Sequence, residues 1–361
     1  VGRAHRLNLL PHKEQLKMKL ATLNNGARDG VLAVVNRDLT RMRAVPHIAA
    51  TLQQALDDWA RSAPLLQAEY EALNAGDGAS QPFDPAGCAA PLPRAYQWLD
   101  ASAYLNHVDL TRRARGGEMP PSFLTDPLMY QGASDDFMGP CEDITAASEE
   151  LGVDLEAEIV VVTDDVPLGV DADTALAHVA LLGLVNDVTL RNVVLPELAK
   201  GFGFLQGKPA SALSPVLVTP DELKPYWRGG RLHRAMQVWL NGKQIGQPQA
   251  GEEMQFHFGE LIAHAARTRR LGAGTLVGSG TISNASDAAG VCCLVEARVR
   301  EKLSDGEMRT RFLKHGDRVR IGMRDDAGHS LFGDIDQQVR IPGTRPMPCA
   351  ASPAPREAAT A

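Results

Sequence analysis

The period of the hydrophobic pattern changes several times along the chain, and each change marks a predicted element. From Met18, two short apolar runs, KLATL and VLAVV, flank the turn-rich stretch NNGARDG, a layout that predicts a β-hairpin. Residues 44–76 follow with apolar side chains at helical spacing and Gly76 as a stop, which predicts one or two helices. Glycine, serine and proline then crowd into residues 74–93, the composition of a linker or long loop, and place a boundary near Pro91.

Beyond that boundary strand-like stretches recur: EAEIVVVT, SPVLVTP, AMQVWLNGKQIGQ, GTLVGSGTI, GVCCLVEARVREKL and DRVRIGMRD. Asn241-Gly242 in the third is the strongest short hairpin signal. Helical spacing returns in residues 173–198 and 257–271. The predicted fold class is α+β, mostly β. A small β-rich amino-terminal domain (18–92, hairpin, helix and linker) precedes a catalytic-sized domain (93–342). Residues 1–17 are expected to be a cloning remnant or a misread start, and the Pro- and Ala-rich 343–361 a disordered tail.

One strand carries an anomaly. In LEAEIVVVT, Glu156 and Glu158 are two apart and so point to the same side as Val160, at the mouth of a buried run. Like charges in that position repel and lose hydration unless a cation lies between them or the strand emerges into water. Three further stretches bear on the choice. Asp187 lies in an otherwise apolar segment four residues before Arg191, as a surface ion pair or as a further metal ligand. Lys208 follows Gly207 ahead of an extended run, and Asp100 stands seven residues before His107.

Composition narrows the classes. With 361 residues and 44% hydrophobic content the chain has room for one large domain and a smaller companion. A net charge of -7 with scattered Lys and Arg argues against a nucleic-acid partner. No apolar run is long enough to span a bilayer, and the first residues lack a signal-peptide core, so no membrane partner and a cytoplasmic location are expected. Five cysteines (88, 141, 292, 293 and 349) without a C-x-x-C pair read as reduced thiols, with Cys292 and Cys293 in a strand-like run.

The order Asp-x6-His, Glu-x-Glu on a strand, Asn-Asp-x-x-x-Arg, Gly-Lys with Ser-Pro soon after, and then GSGTIS resembles the fumarylacetoacetate hydrolase family over roughly residues 95–345. The amino-terminal part resembles the small extra domain of its longer, fumarylacetoacetase-like members. The resemblance implies a mixed β-sandwich or β-roll catalytic domain, a homodimer, and one Mg²⁺ or Ca²⁺, with Mn²⁺ acceptable, held by Asp100, Glu156, Glu158 and Asp187. An all-oxygen set suits such hard cations.

It further implies that His107 activates water, that Glu296 orients it, and that Arg191 and Lys208 neutralise charge developing on the substrate. Tyr130 and Thr281 match substrate-side positions. The implied substrate is a small keto acid, cleaved at a C–C bond as in fumarylacetoacetate or an acylpyruvate from aromatic-compound or tyrosine breakdown. Decarboxylation, isomerisation or hydration of an unsaturated keto dicarboxylic acid is the alternative, and a non-catalytic β-sandwich with a structural cation the third reading. Two departures bear on substrate choice: Val194 replaces a glutamine of the fumarylacetoacetases, and the segment after Lys208 is one residue short, leaving Ser211 in place of a threonine.

Overall fold

The computed structural model describes residues 16–113 and 116–342; the readings made above for residues 1–15 and 343–361 lie outside them. Strands β1 (Lys19–Leu23) and β2 (Val31–Val35) pair antiparallel around the expected turn. Gly30 closes it at φ +58°, where a Cβ would lie 2.5 Å from the Leu23 carbonyl oxygen, so only glycine fits. Strand β3 (Arg41–Ala44) follows, then α1 (Leu52–Asp57), capped by Thr51, and α2 (Trp59–Ala75), ended by left-handed Gly76. Strand β4 (Gln81–Pro82) returns to pair with β3, inside the stretch read as linker.

The chain continues through β5 (Trp98–Ala101), α3 (Leu105–Arg113), β6 (Met129–Gln131), β7 (Ile144–Thr145), β8 (Val153–Asp154) and β9 (Ala157–Thr163). Next come α4 (Ala172–Leu176), β10 (Val179–Asn186), β11 (Thr189–Leu190), α5 (Arg191–Leu198), β12 (Ala212–Leu213) and β13 (Leu217–Val218). The last elements are β14 (Trp227–Arg228), β15 (Arg231–Leu232), β16 (Met236–Leu240), β17 (Lys243–Gly246), α6 (Phe258–Ala265), β18 (Leu276–Gly278), α7 (Leu294–Asp305), β19 (Arg318–Met323) and β20 (Ile335–Arg340).

One large sheet runs β4-β3-β2-β1-β13-β10-β9-β18-β5-β6, so the amino-terminal hairpin is hydrogen-bonded edge to edge onto the main sheet through β1 and β13. On one face Leu52, Leu56, Leu66 and Tyr70 of the helices share a core with Val160, Val162, Leu181 and Trp98. On the other, Ile159, Val161 and Leu184 share a core with Val238, Ile321 and Ile335 of a second sheet, ordered β17-β16-β19-β20-β7. The architecture is mixed α+β and mostly sheet, as expected, with strands β16 and β17 joined at Asn241-Gly242, both at positive φ.

Two predicted elements exchange type. Residues 179–186, read as helix, form β10, whose eight residues are all buried. A strand covered on both faces has no polar side to alternate with, so its apolar run carries no period that separates it from a buried helix. Residues 294–305, read as strand, form α7, so Cys292 and Cys293 stand at a helix start and not within a strand. Asp187 and Arg191 accordingly are not on one helix face: Asp187 follows β10 and Arg191 opens α5.

Candidate metal and substrate site

Three carboxylates extend rows of buried apolar side chains. Asp100 follows Trp98 on β5, Glu158 precedes Val160 and Val162 on β9, and Asp187 continues the Val185 row beyond β10, each two residues from an apolar neighbour on the same face. The register brings them together, because Gly278 of β18 sits beside both Asp100 and Val160. A Cβ on Gly278 would come within 2.4 Å of Asp100 Oδ1 and of the Trp98 ring, so the bare glycine is what lets the carboxylate lie there. Asp100, Glu158 and Asp187 each offer an oxygen within 4.8 Å of the other two, and all three are buried.

The electrostatics of this trio are those of an acidic cage. Burial, then the charge of Asp187, pushes the Asp100 carboxyl up to about 8. Burial, followed by Asp100 and Asp187, raises Glu158 well above the usual range. Neither buried oxygen of Glu158 has a hydrogen-bond partner, which is rare for a carboxylate in a protein interior. Three donors converge on Asp187: Tyr130 Oη at 2.5 Å, Lys208 Nζ at 2.5 Å and Ser211 Oγ at 2.7 Å. Gly280 N–H donates to Asp100 at 3.2 Å. The donor set, all oxygen with two orphaned acceptors, fits a hard divalent cation.

Glu156, grouped with these from the sequence, lies beside the trio and turns its oxygens elsewhere. Arg191 Nη2 donates to Oε1 at 2.6 Å, while Lys208 Nζ at 2.6 Å and Thr189 Oγ1 at 3.0 Å donate to Oε2. Burial alone would raise its pKa, but the Arg191 and Lys208 charges hold it well below the ordinary carboxylate range. Lys208 thus bridges Glu156 and Asp187, and its ammonium also lies 5.1 Å from the centre of the Tyr130 ring.

His107, on α3, completes the arrangement. Its Nδ1 is 3.3 Å from Glu296 Oε2 on α7, and its Nε2 is 4.0 Å from Glu156 Oε1. Burial tends to raise the Glu296 carboxyl, yet hydrogen bonds and charge from His107 and Arg300 hold it below the ordinary range. Ser283 and Arg300 share its other oxygen. An ionised carboxylate only accepts, so the nitrogen facing it, Nδ1, is the one that carries a proton, and in a neutral imidazole the lone pair then lies on Nε2. Cys293 Sγ is 3.9 Å from Nδ1, its thiol pushed well up by burial and then by Asp154.

Asp154 was not singled out in the sequence. It is fully buried; its Oδ2 accepts Arg191 Nε–H at 2.8 Å and Val295 N–H at 2.9 Å, and its Oδ1 accepts Leu294 N–H at 2.7 Å. It therefore caps α7, whose own N-cap residue Cys293 makes no side-chain cap bond. Its signal was the alternation itself, since 154, 156 and 158 form one acidic row. Gly278 and Ser283 begin and end the GSGTIS motif, although their places beside Asp100 and Glu296 were not read from it; Thr189 and Arg300 carried no comparable signal.

Asp100, His107, Tyr130, Glu156, Glu158, Arg191, Lys208 and Thr281 all open onto one cavity of about 1040 Å³; Asp187 and Glu296 support it from behind through Lys208, Tyr130 and His107. Val194 lies on its wall, half of a pair with Leu195.

Comparison with known proteins gives a consistent picture. The family model described as the C-terminal part of fumarylacetoacetate (FAA) hydrolase matches residues 97–340, and that of fumarylacetoacetase N-terminal domain 2 matches 18–94. A 2,4-didehydro-3-deoxy-L-rhamnonate hydrolase of Sphingomonas sp. (strain SKA58) is 30% identical over 160 residues, 44% of this chain and 53% of that protein, so the chain spans about half the length of this curated relative. Among solved structures, maleylpyruvate hydrolase from Sphingobium sp. SYK-6, in complex with manganese(II) and pyruvate, superposes with TM-score 0.58 at 15% identity, covering 89% of this chain and 98% of that one. A 5-carboxymethyl-2-hydroxymuconate delta-isomerase from Mycobacterium smegmatis gives 0.55 at 16% identity, covering 91% and 100%. These two likenesses are of fold.

Proposed function

The chain belongs to the fumarylacetoacetate hydrolase family, and on that premise we propose that it is a divalent-metal-dependent hydrolase cleaving a C–C bond in a β-diketo acid. The observation that carries the reading is the meeting, at one cavity, of a buried acidic cage in which both Glu158 oxygens lack a hydrogen-bond partner with a His107 whose Nδ1 faces Glu296 and whose Nε2 points toward Glu156.

Asp100, Glu158 and Asp187 would hold the cation, with Glu156 alongside. Mg²⁺, Ca²⁺ and Mn²⁺ all suit oxygen donors, and Mn²⁺ is the ion in the maleylpyruvate hydrolase complex. When bound, the ion supplies charge neutralisation for an enolate and polarisation of carbonyl oxygens. His107 Nε2 takes a proton from water, whose oxygen then bonds to the carbonyl carbon. Glu296 keeps the imidazolium that results in place. Arg191 and Lys208 donate toward the oxyanion of the tetrahedral intermediate. When the C–C bond breaks, its electron pair leaves as an enolate, and the proton held by His107 returns to the departing carbon. Tyr130 and Thr281 contribute hydroxyls at the substrate side of the cavity.

Val194 offers no hydrogen bond at the wall of the cavity, which favours a substrate other than fumarylacetoacetate itself. The test is a panel of acylpyruvates and fumarylacetoacetate followed by loss of diketone absorbance, with chelator or with Mg²⁺, Mn²⁺ or Ca²⁺ added. Turnover that requires metal and disappears in His107→Ala is expected. Turnover that persists in chelator, or in His107→Ala, rejects the assignment.

A further inference from the structure

The two cations beside the acidic cage are anchored in different ways. Arg191 opens α5 and pairs with Asp154 and Glu156 directly from the helix. Lys208 comes from the loop after that helix, and its ammonium lies 2.6 Å from Glu156 and 2.5 Å from Asp187. A lysine carries its charge on a flexible stem, so the place of the ammonium depends on how firmly the backbone beneath it is held.

That backbone is gripped by one side chain. Glu197, in the last turn of α5, is 8% exposed. Its Oε1 accepts Leu205 N–H at 3.0 Å and Gln206 N–H at 2.8 Å, and its Oε2 accepts Gly207 N–H at 2.9 Å. Three consecutive amides, ending at the residue before Lys208, thus converge on one carboxylate. Their hydrogen bonds, that of Gln206 foremost, hold it below the ordinary range and therefore ionised. The Gly207 carbonyl is fixed as well, accepting Leu190 N–H at 2.8 Å. A Cβ on Gly207 would fall 2.7 Å from Val194 Cγ2 and 3.1 Å from Val194 Cα, so the helix lies directly on this stretch of main chain. Phe202 and Leu205 are exposed to solvent, which leaves the loop little apolar packing of its own.

Helical spacing unites these contacts. Arg191, Val194 and Glu197 are three apart and share one face of α5. The first reaches Glu156, the second rests on Gly207 and the third ties the loop that delivers Lys208. We propose that Glu197 is a positioning residue for the reaction: by gripping the amides of residues 205–207 it holds the Lys208 ammonium where the oxyanion forms. The proposal rests on the role given to Lys208 above. Misplacing such a group by about 1 Å costs about 100-fold in rate.

The test is a double-variant cycle in the Mn²⁺-loaded protein. It is read by kcat on the fastest substrate of the panel above and, calorimetrically, by affinity for oxalate, a planar dianion that mimics a pyruvate enolate. In Glu197→Gln the side-chain amide turns an N–H donor toward at least one of three backbone donors. Both readouts are expected to fall by about 10- to 100-fold while KM stays nearly constant. In a Lys208→Met background the same change is expected to have no effect on either, because the group it acts through is gone. A merely structural tie would cost the same factor in both backgrounds; that result, or a Glu197→Gln protein equal to wild type, overturns the proposal. Glu197→Asp, which keeps an ionised acceptor, should recover part of the loss, and it replaces the Gln variant in the cycle if that protein does not fold. If Lys208→Met by itself leaves turnover and oxalate binding unchanged, it is the role given to Lys208 that fails, and that of Glu197 falls with it.

Discussion

Asp154 and Arg191 are joined at 2.8 Å, and the same carboxylate caps the first turn of α7 through Leu294 and Val295. One buried side chain thereby fixes both the guanidinium that clamps Glu156 and the helix that presents Glu296 to His107. Replacing it by alanine leaves three donors without an acceptor in the interior. Asp154→Ala is expected to destabilise the fold by about 3 kcal/mol, measured as a shift of the urea midpoint. It is also expected to lower turnover further than the loss of folded protein explains.

Gly278→Ala tests the geometry of the cage without touching a ligand. The added methyl group would crowd Asp100 and Trp98 at 2.4 Å, and neither can retreat from a packed sheet. Affinity for Mn²⁺, followed by electron paramagnetic resonance of the free ion, is expected to fall by about tenfold or more. An unchanged affinity would show that Asp100 does not need its present position to bind metal.

The acidic cage makes the metal-free protein pH-sensitive in a defined direction. Asp100 is held at about 8 and Glu158 well above its ordinary value, so the folded state binds protons more tightly than the unfolded chain. Its stability should therefore decline as pH rises from the ordinary carboxylate range, near 3.8, towards 8. Metal binding should release protons below pH 8 and remove this decline. Thermal melting between pH 5 and 9, with chelator and with Mn²⁺, checks both statements.

Glu296→Gln separates orientation from charge. The amide can donate to Nδ1 and so move the imidazole proton to Nε2, where a general base needs a lone pair. Turnover is expected to fall by about 10² to 10⁴. Glu296→Asp, which still only accepts, should recover part of it, whereas a purely structural role would leave the two variants alike.

Much of the site was legible because strand alternation is local. Glu156 and Glu158 announce themselves two residues apart ahead of Ile159 and the valines, a pattern that by itself left open whether they are buried around a cation or exposed to water. Asp187 was visible as a lone acid, but its geometry was not, because β10 is covered on both faces and its apolar run mimics a helix. The division of labour between Glu156, facing Arg191 and Lys208, and Glu158, facing Asp100 and Asp187, depends on partners far away in the chain, 35 and 52 residues in the case of Glu156, and has no sequence signature. Gly278 opens the GSGTIS motif, but its lack of a side chain matters only because parallel pairing of β18 with β5 sets Asp100 beside it. In α7, apolar positions at 295, 297 and 299 imitate a strand, and the signal that decides for helix, the cap from Asp154, comes from 140 residues upstream.

The edge pairing of β1 with β13 has a consequence for how this protein can be cut. Severing the chain ahead of residue 97 would uncover a row of unpaired backbone groups along β13 and strip Val160 and Val162, the floor beneath Glu158, of their helical roof. The segment that contributes no reacting group is thus the wall the reacting groups stand against, and a fragment lacking it should clump through its raw sheet margin before it could ever be assayed.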